Sequence, residues 1–127
     1  MAHLIIQYSS NLKNQFDAQA LCNNLHQSMA DAGFFPLGGI RVRCIAVEHY
    51  AIADLDPKNG FVDMELRMGV GRSIDQRKSI GEALMLTSRQ LFEGLLNEPH
   101  FALSLEVREI DKELSWKTNS IHPRLNN

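Results

Sequence analysis

Two glycine-rich segments of the chain carry arginine where it could grip an anion. In Gly69-Val70-Gly71-Arg72-Ser73, Arg72 stands at the point where a strand pattern gives way to a helix pattern. The unpaired N–H groups and dipole of a helix start favour negative charge there. In Gly38-Gly39-Ile40-Arg41-Val42-Arg43, the two arginines lie two positions apart on a strand pattern and so share one face. Guanidinium groups make forked contacts with carboxylates, so a small polyanionic acid is the ligand chemistry these segments suit. Each also has a plainer explanation. Arg72 can be an exposed helix-start residue, and Arg41 and Arg43 can pair with Glu65 or Glu106.

Other chemistries find less support. The Gly-x-Gly at 69–71 lacks the third glycine of a dinucleotide fingerprint and the Gly-Lys-Ser/Thr of a phosphate loop. Ser9, Ser10 and Ser73 have no neighbouring His and Asp in a triad arrangement. His3, His26, His49, His100 and His122 are scattered, with neither the i, i+4 spacing nor the flanking Cys pairs of a metal site, so no metal is expected. Cys22 and Cys44 form no disulfide framework, and both are expected as buried thiols.

The arginines need elements to position them, and the hydrophobic periods supply a set. Leu4, Ile6 and Tyr8 alternate against His3, Ile5 and Gln7, which predicts a strand. Leu21, Leu25 and Met29 recur at every fourth position, Asn14 with Asp17 resembles a cap and Gly33 suits a helix C′, which predicts a helix over 14–32. Strands follow at 40–47 and 61–68. Ser73 with Gln76 spells a capping box, and Ile80, Leu84, Thr87, Leu91 and Leu95 trace a stripe that predicts one helix over 74–97. A fourth strand covers 102–110, and the tail is expected to be irregular. The order is β-α-β twice, an internal duplication of 1–56 and 57–112 followed by a tail of 113–127. A helical crossover implies parallel, right-handed pairing within each unit. The expected fold class is α+β, a four-stranded sheet with two helices on one face.

The opposite sheet face mixes Arg41, Arg43, Asp63, Glu65, Arg67, Glu106 and Arg108 with Ile5, Ile45, Val47 and Phe61. It is either a solvated face with paired charges or a subunit interface. The 127 residues, 44% hydrophobic and 22% charged, fit a single folded domain. Thirteen basic against 15 acidic side chains leave a net charge of −2, without the excess that nucleic acid or anionic lipid would need. No stretch approaches the roughly 18 apolar residues of a membrane span, and the first residues lack a secretory pattern. A cytoplasmic protein is the expectation.

On these residues the chain resembles the 5-carboxymethyl-2-hydroxymuconate delta-isomerases of the tautomerase superfamily. The resemblance covers nearly the whole sequence. It rests on the opening His3 and its apolar strand, on 33–43 and 68–73, and on the tail from Leu114 to His122. It implies a homotrimer with sheets facing inward, needing no metal or organic cofactor. Such an enzyme converts a dienol to its conjugated ketone in a small 2-hydroxy or 2-oxo polycarboxylate during aromatic degradation. By similarity Arg41 and Arg72 bind carboxylates and polarise the 2-oxo oxygen, with Arg43 a third candidate. The family's base is an N-terminal proline, and here that position is Ala2. Alanine supplies only a primary amine, and only once Met1 is removed. The resemblance therefore leaves two functions open: an isomerase working through the Ala2 amine, or a trimeric di- or tricarboxylate-binding protein that has lost its base. A purely structural protein with internally paired arginines is the third alternative.

Overall fold

The computed structural model describes residues 1–125. Strand β1 (Ala2–Ser9) turns Ala2, Leu4, Ile6 and Tyr8 to one side and buries them, as a period of two requires. On one edge it pairs in parallel with β2 (Ile40–Val47); on the other it pairs antiparallel with β3 (Gly60–Met68), which runs parallel to β4 (Phe101–Glu109). The sheet order is β2-β1-β3-β4. Helix α1 (Ala18–Asp31) crosses between the first parallel pair and α2 (Ile74–Leu91) between the second. Both pack on the same face. Leu21, Leu25 and Met29 of α1 and Ile80 and Leu84 of α2 join Leu4, Ile6, Val62, Met64 and Leu66 in one core. Each fully buried aliphatic side chain there contributes about 1.5–3 kcal/mol. The expected α+β sheet of two β-α-β units is the observed one.

Three local expectations are corrected. Helix α1 begins later than residue 14, because a 3-10 turn at Ser10–Leu12 first seats Leu12 in the core. Its cap is Asp17, whose carboxylate accepts the Ala20 N–H at 3.0 Å. The predicted helix over 74–97 is interrupted at Phe92 (φ −105°, ψ 18°), after which a separate turn, α3 (Glu93–Leu96), follows. The break lets the Phe92 ring join Phe16 and Phe101 at centroid distances of 5.2 and 5.4 Å. The buried stripe is thus Ile80, Leu84, Ser88 and Phe92, while Leu91 is 46% exposed. The tail, expected to be irregular, carries a short helix, α4 (Ile121–Leu125), packed against a 3-10 turn at Leu37–Gly39. The capping box at Ser73 and Gln76 forms as predicted.

Cys22 of α1 and Cys44 of β2 are half-buried free thiols whose Sγ atoms lie 3.5 Å apart, and burial pushes the Cys44 thiol up to about 12. Among the described residues no helix is long and apolar enough to cross a membrane.

Candidate active site

The strand register gathers charge at one end of the sheet. Ala2 lies between Ile40 and Met68 with its side chain in the core. One residue on, facing away from the helices, His3 lies between Arg41 and Arg67, and Arg67 lies beside Arg108. A row of basic side chains thus crosses all four strands. In this row Arg67 and Arg108 are like charges directly opposite one another, which costs stability. Two positions further along, the row changes to Arg43, Ile5, Glu65 and Glu106.

Beside the start of β1 opens a cleft of about 580 Å³, a size suited to a small ligand. His3, Arg41 and Arg67 line it from the sheet, and Lys112, Trp116 and Lys117 line it from the segment after β4. Its lining contains no acidic residue, in a chain whose net charge is −2. A second groove, of about 390 Å³ between α2 and β4, shares no residue with this cleft, and its Arg77 is paired with Glu109 at 3.4 Å.

Arg41 is therefore in the lining, and its Nη1 lies 3.4 Å from His3 Nε2. Arg43 is exposed outside the cleft, with Nη1 3.2 Å from His3 Nδ1. A neutral imidazole has one donor and one acceptor nitrogen, so in either tautomer only one of these contacts is a hydrogen bond. Partial burial, followed by the charges of Arg67, Arg41 and Arg43, lowers His3 to about 4 and leaves it neutral at pH 7. Among the described residues neither Arg41 nor Arg43 forms an ion pair with Glu65 or Glu106, and Glu65 instead meets Arg108 at 3.5 Å. Arg72 lies behind the cleft rather than in its lining. Its guanidinium donates to Gly69 O at 3.2 Å and Phe34 O at 3.0 Å and stacks over the Phe35 ring at 5.0 Å, while its buried Nε has no partner among the described residues.

Residue 1 completes the cleft. Its carbonyl accepts the Gly69 N–H at 3.1 Å, which fixes the start of the chain against the turn that leads to Arg72. Its α-amine is held below the ordinary value, first by burial and then by the charges of Lys117, Arg72 and Arg41. With Met1 in place the Ala2 nitrogen is an amide. Removal of Met1 puts the free amine on Ala2, the first residue of β1.

Sequence reasoning did not single out Arg67, Lys112, Trp116 or Lys117 for the site. Arg67 meets His3 only through the antiparallel register, which alternation alone does not fix. The tail residues arrive by a path that weak periodicity left unread.

Two parallel β-α-β units joined antiparallel in one sheet are the tautomerase class of fold. The solved structure of a fused 4-OT symmetric trimer shares it, with a TM-score of 0.66 at 15% identity over 91% of this chain and 93% of that one. Within the class, the model of the family described as 5-carboxymethyl-2-hydroxymuconate isomerase matches residues 2–125, and the chain belongs to that family. It is 34% identical over 122 residues to the 5-carboxymethyl-2-hydroxymuconate Delta-isomerase of Escherichia coli, covering 96% of this chain and 97% of that one. The crystal structure of a 5-carboxymethyl-2-hydroxymuconate isomerase from Deinococcus radiodurans R1 superposes with a TM-score of 0.91 at 34% identity, over 97% of this chain and 92% of that one.

Proposed function

We propose that the protein shifts a double bond in 5-carboxymethyl-2-hydroxymuconate or a closely related polycarboxylate, turning a dienol into its conjugated ketone. The observation that carries this reading is an acid-free cationic cleft at the very start of β1, lined by Arg41, Arg67, Lys112 and Lys117. A base for this step must be neutral before it takes a proton. An unshifted α-amine, at about 7.7–8.0, is roughly a tenth to a sixth neutral at pH 7, and each further lowering raises that fraction. The Ala2 amine, exposed once Met1 is removed, takes a proton from the substrate and returns it to a carbon further along the conjugated chain. Arg41 binds a carboxylate and stabilises the negative charge that develops on the 2-oxo oxygen. Arg72 acts from behind: bonded to Gly69 O, it fixes the turn against which the start of the chain rests and adds positive potential there. Arg43 adds charge from outside the lining.

The working unit is a homotrimer of duplicated halves, 1–56 and 57–112, with 113–127 as the tail, acting in the cytoplasm on an acid from ring cleavage. Exposed Ile45 and half-buried Phe61 on the charged sheet face support burial against other copies.

Proton NMR of ketonisation tests the reading, with the N-terminus of each preparation verified by mass spectrometry. Protein starting at Ala2 should exceed the buffer rate, protein retaining Met1 should not, and Ala2→Pro should be faster still. Buffer rates for both Ala2-started protein and Ala2→Pro would refute it.

A further inference from the structure

The segment that follows β4 takes an unusual path. Ile110 N–H extends the sheet pairing by donating to Met68 O at 2.7 Å. Asp111 then turns the chain, its Oδ1 accepting the N–H groups of Glu113 and Leu114 at 2.8 Å each. Further on, Asn119 Nδ2 donates to Gly38 O at 2.9 Å, just before β2. Residues 110–119 therefore run from the end of β4 to the start of β2, at the end of the sheet where residue 2 begins, and form one wall of the cleft. This strap is tied at both ends.

We infer that Lys117, on this strap, is a specificity-determining contact of the cleft, binding the substrate carboxylate farthest from Arg41 and Arg67. The inference rests on the isomerase reading of the cleft. Three observations support it. The cleft has two separate cationic walls, Arg41 and Arg67 on the sheet and lysines on the strap, with no acid between them. Lys112 also borders a neighbouring hollow that holds Glu109, Asp111 and Glu113, whereas Lys117 lines the acid-free cleft alone. The charge of Lys117 also reaches the Met1 α-amine, which it lowers together with Arg72 and Arg41. A flexible four-carbon stem lets that point charge follow a carboxylate which the rigid guanidinium forks do not reach. Lys117 and Arg41 thus read opposite ends of one molecule.

Calorimetry with the full chain and two simple acids, propane-1,2,3-tricarboxylate and the shorter malonate, whose two carboxylates share one carbon and do not span both walls, separates this role from general positive potential. Lys117→Met should weaken the tricarboxylate at least tenfold, the range of a charge-assisted hydrogen bond, and malonate less than threefold. Lys117→Arg should restore the tricarboxylate to within threefold. Arg41→Met should weaken both acids. A Lys117→Met loss below threefold for the tricarboxylate, or equal losses for both acids, overturns the assignment. If Arg41→Met changes neither acid, the reading of the cleft fails, independently of Lys117. If the native protein binds neither acid, both fail.

Discussion

His3 has arginine neighbours against both ring nitrogens, and this fixes how its charge answers to pH. In the folded protein it stays neutral down to about pH 4, whereas a free histidine protonates near 6.5. Between those values the unfolded chain binds a proton that the folded chain does not. The stability this residue contributes is therefore fully present above about pH 6.5 and is lost as the pH falls towards 4. Urea unfolding should show stability dropping more steeply over that window in the native protein than in His3→Gln, and equal slopes would contradict the assigned environment. At this scale the sequence was legible in part. Arg41, Arg43 and Arg72 stand out by their glycine neighbours. That Arg72 spends its fork on Gly69 O and Phe34 O was not legible, because Phe34 lies 38 positions away and only the fold brings it there.

Among the elements, the strap and α4 depend on a glycine. A Cβ at Gly38 would lie 2.8 Å from His122 Nδ1 and 3.2 Å from the backbone of the same residue, so Gly38→Ala must displace α4. With α4 goes the seat of Asn119, and the strap that carries Trp116 and Lys117 loosens. We expect kcat/KM for the isomerisation to fall tenfold or more, since about 1 Å of misplacement can cost on the order of a hundredfold. Thermal unfolding should change little, because none of the buried core lies in α4. An unchanged kcat/KM would show that the strap does not shape the cleft. The strands were readable because a period of two is unambiguous when one face is buried. The end of α2 was not, because Leu91 and Leu95 continue the apolar spacing while Phe92 is drawn into an aromatic cluster contributed by β4 and the loop before α1. The strap carries only a weak hydrophobic period; hydrogen bonds at its two ends hold it, and side-chain spacing does not announce these.

On the scale of the whole molecule, a chain of net charge −2 concentrates basic groups from β1, β2, β3 and the strap at one end of its sheet. The positive field there belongs to the register and the tail path together, which is why composition pointed away from a strongly cationic protein while the fold contains a strongly cationic place. Burial first, and then this field, lowers the Met1 amine that begins the chain, and the proposed chemistry requires the same of the Ala2 amine. A ¹⁵N NMR titration of the Ala2 amino group, in alanine-labelled protein lacking Met1, reads it without reference to any substrate. The midpoint should fall below the free α-amine range of about 7.7–8.0 and move back towards it in Lys117→Met. A midpoint inside that range, unmoved by the substitution, would mean that residue 2 carries an ordinary ammonium and is not the base.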